Sequence, residues 1–65
     1  MEGILEKTYS VRDTAKILKV HPQTVRRKIA NHKISFYRFD GKIEIGESHL
    51  KDYVARAEVK AKNIN

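Results

Sequence analysis

Cysteine and tryptophan are absent from this chain, and proline and methionine occur once each. Without cysteine there is neither a disulfide framework nor a thiolate metal site, and a reducing cytoplasm suits the chain. The three histidines, His21, His32 and His49, have no carboxylate or second histidine at ligand spacing. They read as surface or capping residues, and no metal is expected. No run approaches the ~20 apolar residues that span a bilayer, and the first residues include acids but no apolar signal core. A soluble, cytoplasmic protein with no membrane partner is expected. A Gly-rich phosphate loop, a paired-carboxylate signature and a nucleophilic triad are also missing, so no catalytic residue, cofactor or small-molecule ligand is expected and the chain does not read as an enzyme.

What is present is positive charge, and it is confined. Residues 19–42 hold seven bases (Lys19, Arg26, Arg27, Lys28, Lys33, Arg38 and Lys42) against one acid, Asp40. Residues 1–18 balance three bases against three acids, and residues 43–65 balance four against four. The whole net charge of +6 therefore sits in one stretch, in a chain of pI ≈ 9.8. A field confined this way suits one face to a polyanion, and nucleic acid is the first to consider.

The 65 residues make one domain, near the lower size limit for a core without disulfides or metals. We expect it to span 1–65, with its core in 8–59 and a flexible tail over 60–65. Residues 1–7 carry little signal beyond Ile4 and Leu5, which either tuck onto the core or fray. Ser10 followed by Asp13 fits a helix-capping pattern, and Val11, Ala15 and Leu18 recur at i, i+4 and i+7, predicting a helix over 11–18. His21-Pro22 marks a second start, with His21 as cap and proline at the first helical position. Val20 and Val25 fall at the positions of a hydrophobic staple, and Val25 and Ile29 form the buried stripe. Two helices joined by only Lys19, Val20 and His21 make a helix-turn-helix.

From Ile34 the pattern becomes β-rich. Strands over 34–39 and 42–45 flank Asp40-Gly41, a pair suited to a tight hairpin whose turn positions both need positive φ. Tyr37 and Phe39 share one face and Phe36 the other, and period alone does not rank them. Tyr37 and Phe39 are expected to serve the core in preference to stacking on bases, because so small a domain needs its aromatics for burial. Leu50, Tyr53, Val54 and Ala57 then predict a third helix over 47–59.

The expected fold is thus α+β, a small winged helix-turn-helix whose second helix and hairpin wing coincide with the basic segment. In such a domain the second helix enters the major groove of double-stranded DNA, and the wing reaches the neighbouring backbone or minor groove. Gln23, Thr24 and Arg27 are the expected base readers. Arg26, Lys28 and Lys33 are cast as phosphate clamps, and Arg38 and Lys42 as wing contacts. The plain alternative for Arg26, Arg27 and Lys28 is a solvated basic helix face, and for Gln23 and Thr24 ordinary first-turn residues.

From Ser10 to Val54 the chain resembles the excisionase-type DNA-binding domains of the MerR-like winged-helix superfamily. The residues that carry the resemblance are Ser10-Val11, Ala15, Val20, Thr24-Val25-Arg26-Arg27, Tyr37-Arg38, Asp40-Gly41-Lys42 and Leu50. Thr24-Val25-Arg26-Arg27, Asp40-Gly41-Lys42 and Glu47-Ser48 are similar to segments of the lambda-type phage excisionases. The resemblance implies base contacts for Gln23 and Arg27 and a minor-groove role for Lys42. It also implies a non-catalytic accessory factor that binds and bends attachment-site DNA, lies beside copies of itself, and helps a tyrosine-type integrase excise a mobile element. Lys19 replaces a frequent turn glycine and Ser35 a frequent proline, and Gln23 stands where an acid is usual in those relatives, so a different target sequence is implied. A small phage or plasmid transcriptional regulator, or a protein-interaction adaptor without a DNA target, remains open beside this reading.

Overall fold

Ser10 opens the first helix as its sequence suggests: its Oγ accepts the Asp13 N–H at 3.0 Å, satisfying a donor that has no partner inside the helix. In the computed structural model, which describes residues 6–59, the elements are β1 (Thr8–Tyr9), α1 (Val11–Leu18), α2 (Pro22–Ala30), β2 (Tyr37–Phe39), β3 (Lys42–Gly46) and α3 (Glu47–Ala57). The expectations for Ile4, Leu5 and the tail 60–65 fall outside the described residues. The strands pair antiparallel in the order β1-β3-β2, so the α+β winged helix-turn-helix expected from the sequence is the fold observed.

Both helices of the helix-turn-helix close in the same way. At the end of α1, Lys19 takes a left-handed conformation (φ 60°, ψ 44°), the Lys19 N–H donates to the Lys16 carbonyl and the Val20 N–H to the Ala15 carbonyl at 2.9 Å. At the end of α2, His32 (φ 57°) repeats this, with its N–H on the Ile29 carbonyl and the Lys33 N–H on the Lys28 carbonyl at 2.8 Å. Each is a Schellman closure, a site that favours glycine because a Cβ is strained there. The turn glycine that Lys19 displaces would have met this requirement. Of the expected staple pair, Val25 is fully buried and Val20 remains 38% exposed.

Ala15, Val25, Ile29, Ile34, Ile45 and Leu50 form the core, with Tyr9, Val11, Leu18, Phe36, Ile43 and Tyr53 packed around it. Fully burying an isoleucine such as Ile34 or Ile45 contributes about 1.5–3 kcal/mol. Ile34 explains why the expected strand over 34–39 shortens to Tyr37–Phe39: the chain turns it into the core directly after the α2 closure, before any ladder begins. The assignment of Tyr37 and Phe39 to the core is corrected by the register. Tyr37 lies opposite Glu44, Arg38 opposite Ile43 and Phe39 opposite Lys42, so Phe36 is the aromatic on the core face while Phe39 stays 38% exposed. The α3 stripe is partly covered too, since Leu50 is buried, Tyr53 half-buried and Val54 half exposed. α3 ends at Ala57, short of the expected 59. Thr14, which the sequence reading passed over, is fully buried, and its hydroxyl has no hydrogen-bond partner among the described residues.

Candidate nucleic-acid interface

The His21 imidazole caps α2 by accepting the Gln23 N–H on Nδ1 at 3.0 Å, which fixes where the helix starts and so which residues fall on each face. At about 100° per residue, Arg27 lies roughly opposite the buried stripe of Val25 and Ile29. Gln23 and Thr24 fall within about 60° of Arg27, and Arg26 and Lys28 flank it on either side. Gln23, Arg26 and Arg27 are exposed, whereas Thr24 and Lys28 are half-buried at the rim. Five of the eight expected contact residues are thereby gathered on the open side of one short helix.

Their surroundings differ. Arg26 Nη1 donates to Gln23 Oε1 at 3.4 Å, a long bond across one helical turn. Lys28 turns aside, its ammonium 5.7 Å from the centre of the Tyr53 ring on α3. Arg27 has no hydrogen bond or ion pair among the described residues. The one ion pair among them joins Arg56 to Asp52 at 3.0 Å, so no carboxylate among the described residues forms an ion pair with a base of residues 19–42. Charge left unpaired in this way is available to phosphates, whose binding releases counterions.

The wing turns as its sequence demands: Asp40 (φ 47°) and Gly41 (φ 80°) both have positive φ, the pattern of the tight hairpin turn whose twist matches that of the strands. It does not bring Arg38 and Lys42 to one face. Arg38 shares a face with Ile43, its guanidinium 5.9 Å from the centre of the Phe36 ring, whereas Lys42 shares the other with Phe39. Lys33 is exposed on the connection between α2 and the wing, and its carbonyl accepts Arg56 Nη2 at 3.2 Å. The role of Tyr53 and Arg56 in holding this corner was not found from sequence. The i, i+4 spacing of Asp52 and Arg56 on a predicted helix was the available signal.

A second cluster was also missed. α3 follows β3 without a loop, and its first free N–H groups are capped partly by its own His49 and partly from the other end of the chain. The Gly46 N–H donates to His49 Nδ1 at 3.0 Å, the Glu47 N–H to the Lys7 carbonyl at 2.9 Å, and the Ser48 N–H to Glu6 Oε1 at 2.7 Å. The Ser48 hydroxyl and the Tyr37 hydroxyl both donate to the other Glu6 oxygen. Chiefly the Tyr37 hydroxyl, and then the Ser48 N–H, hold the Glu6 carboxyl below its ordinary pKa, and Glu6 raises the Tyr37 phenol in turn. A carboxylate at a helix N-terminus is also favoured by the helix dipole. The His49 Nδ1 is thereby occupied by a backbone donor.

No group of His, Cys, Asp and Glu side chains among the described residues is placed to hold a metal, and no helix among them is long and apolar enough to cross a membrane. Searches of curated proteins and of solved structures give no match. A family model described as a helix-turn-helix domain matches residues 8–58, which run from the start of β1 to just past the end of α3. Cap, corner, outward basic helix and wing all lie inside that match, and the chain belongs to the helix-turn-helix domain family, whose function is sequence-specific binding of double-stranded DNA.

Proposed function

We propose that the chain is an excisionase-type recombination directionality factor, which binds and bends attachment-site DNA so that a tyrosine-type integrase excises a mobile element. The observation that supports this most is the unpaired, outward Arg27 on a capped α2, beside a wing whose Asp40-Gly41 turn carries Lys42. In this reading α2 enters the major groove, with Gln23, Thr24 and Arg27 at base edges and Arg26, Lys28 and Lys33 at phosphates. Arg38 and Lys42 approach the backbone or minor groove from opposite faces of the wing. The residue resemblance at Thr24-Val25-Arg26-Arg27, Asp40-Gly41-Lys42 and Glu47-Ser48 supports excision over other uses of the same surface. Domains of this family are typically non-enzymatic, and the integrase would supply the chemistry. A footprint this small gives limited discrimination over a genome, so neighbouring copies on DNA would add the specificity that one lacks.

The test is a titration of duplexes from attachment-site arms at several salt concentrations, followed by an integrase-dependent excision assay. Saturable site-specific binding with stimulated excision is expected. Binding that alters transcription from a nearby promoter without stimulating excision would make the chain a regulator. No duplex affinity even at low salt would sink the interface as drawn and leave the adaptor reading.

A further inference from the structure

We propose that Glu6 is a positioning residue for DNA binding, setting the angle of the wing by holding β2 and the head of α3 on one carboxylate; this rests on the wing being a DNA contact. β2 lies at the edge of the sheet and has only three residues, so on its own a ladder to β3 on one side would steer the wing tip loosely. The Tyr37 hydroxyl supplies a second tie. Its ring is fixed between Phe39, stacked at 5.6 Å between centres, and His49, tilted at 4.5 Å. Gly46 makes room for it, since a Cβ at that position would lie 2.7 Å from Tyr37 Cε2. Glu6 then joins this ring to Ser48 through both of its oxygens, across 31 and 42 residues of sequence. Hydrogen bonds to an ionised carboxylate are shorter and stronger than neutral ones, so the tie is stiff.

The sign of the effect on DNA binding separates positioning from electrostatics. Glu6 is an acid in a protein that meets phosphates, so deleting its charge alone would tighten binding. If the carboxylate acts by aligning the wing, deleting it weakens binding, because Lys42 and Arg38 must then be ordered on the DNA. Tyr37→Phe offers a second route that changes no charge and leaves the Glu6 bonds to Ser48 in place.

The experiment measures duplex affinity for Glu6→Gln, Tyr37→Phe and Lys42→Ala, and for each of the first two combined with Lys42→Ala, at a temperature where thermal melts show every variant folded. Glu6→Gln and Tyr37→Phe are each expected to bind roughly three- to tenfold more weakly, the scale of ordering one or two long side chains. They are expected to cause little further loss once Lys42 is alanine. A purely structural role would lower the melting temperature without this coupling. Unchanged or tighter binding by Glu6→Gln, or losses that simply add to that of Lys42→Ala, would overturn the positioning role while leaving the wing contact standing. If Lys42→Ala alone binds as well as the parent, Lys42 is not the contact that the alignment serves and the proposal falls with it.

Discussion

Replacing Arg27 with alanine tests the proposed base reading apart from everything else α2 does. Its side chain is exposed, points away from the Val25 and Ile29 stripe, and has no hydrogen bond or ion pair among the described residues, so its removal breaks no such bond there. Stability is expected to stay within about 0.5 kcal/mol of the parent, as for other unpartnered surface sites. An arginine that bonds both acceptors of a guanine is worth about 1–3 kcal/mol of discrimination, or roughly 5- to 150-fold in affinity. Lys33→Ala is the matched control, exposed on the connection and cast as a phosphate contact. It should weaken cognate and scrambled duplexes alike and lower the slope of log K against log salt by about one unit. The assay is a salt-dependent titration of both duplexes, with thermal melts of each protein alongside. An Arg27→Ala protein that loses affinity equally for both duplexes and loses a unit of salt slope would place this residue at the backbone. No loss at all would remove Arg27 from the groove.

Three further outcomes follow from the fold. Lys19→Gly should raise stability by about 0.5–1 kcal/mol, since relief of a left-handed residue outweighs the greater freedom of glycine in the unfolded chain. A melting temperature higher by several degrees is the expected reading, and a lower one would show that the Lys19 conformation is not strained. Thr14→Val should stabilise by about 1 kcal/mol in denaturant unfolding, because it exchanges a buried hydroxyl without a partner for a methyl of similar shape; a loss of comparable size would mean the hydroxyl is satisfied. Acid should also act through Glu6: its folded pKa lies below its ordinary value, so its contribution is complete above the carboxylate range and lost as pH falls below 4.5. Thermal melts between pH 7 and 2 should fall more steeply for the parent than for Glu6→Gln, and parallel curves would refute the linkage. Tyr37, raised by Glu6, has the opposite sign: its contribution is complete below its usual value and lost as pH rises through the higher one.

The features read correctly from sequence are those decided within a few residues. The Ser10 cap, the His21-Pro22 start, the spacing of Val25 and Ile29, and the positive φ of Asp40-Gly41 each depend on neighbours, and each is found where expected. β1 was missed because two residues cannot show a period, and Thr8 and Tyr9 become a strand only by meeting Gly46 and Ile45. The inward face of the 34–39 run was misread for a related reason. Alternation groups Tyr37 with Phe39, but only the register against β3 decides that this pair faces away from the core. Of the candidate interface, the charge block and the helix start were legible. Its internal distinctions, with Arg26 bonded to Gln23, Lys28 over Tyr53 and Arg27 without a polar partner among the described residues, depend on side-chain geometry that no spacing encodes.

β1 reaches its partner only after the chain has passed through both helices and the hairpin, so its two residue pairs act as a clasp closed across most of the molecule. Closing a long loop costs chain entropy, and so short a ladder contributes little against it, which makes the clasp the first part to open while the helix-turn-helix stays shut. Opening would withdraw the Lys7 carbonyl from Glu47 and the Glu6 carboxylate from Ser48, freeing the head of α3 and the Tyr37 hydroxyl together. The native state would then have two tiers: α2 held by local contacts, and a wing alignment whose lifetime is set by how often residues 6–9 let go. Amide exchange at Thr8, Tyr9 and Ser48 that is fast and shared, against slow exchange at Val25 and Ile29, is how the two tiers would appear in solution. If the wing contacts DNA as proposed, substitutions in residues 6–9 would retune its dwell time there without altering the proposed base readers.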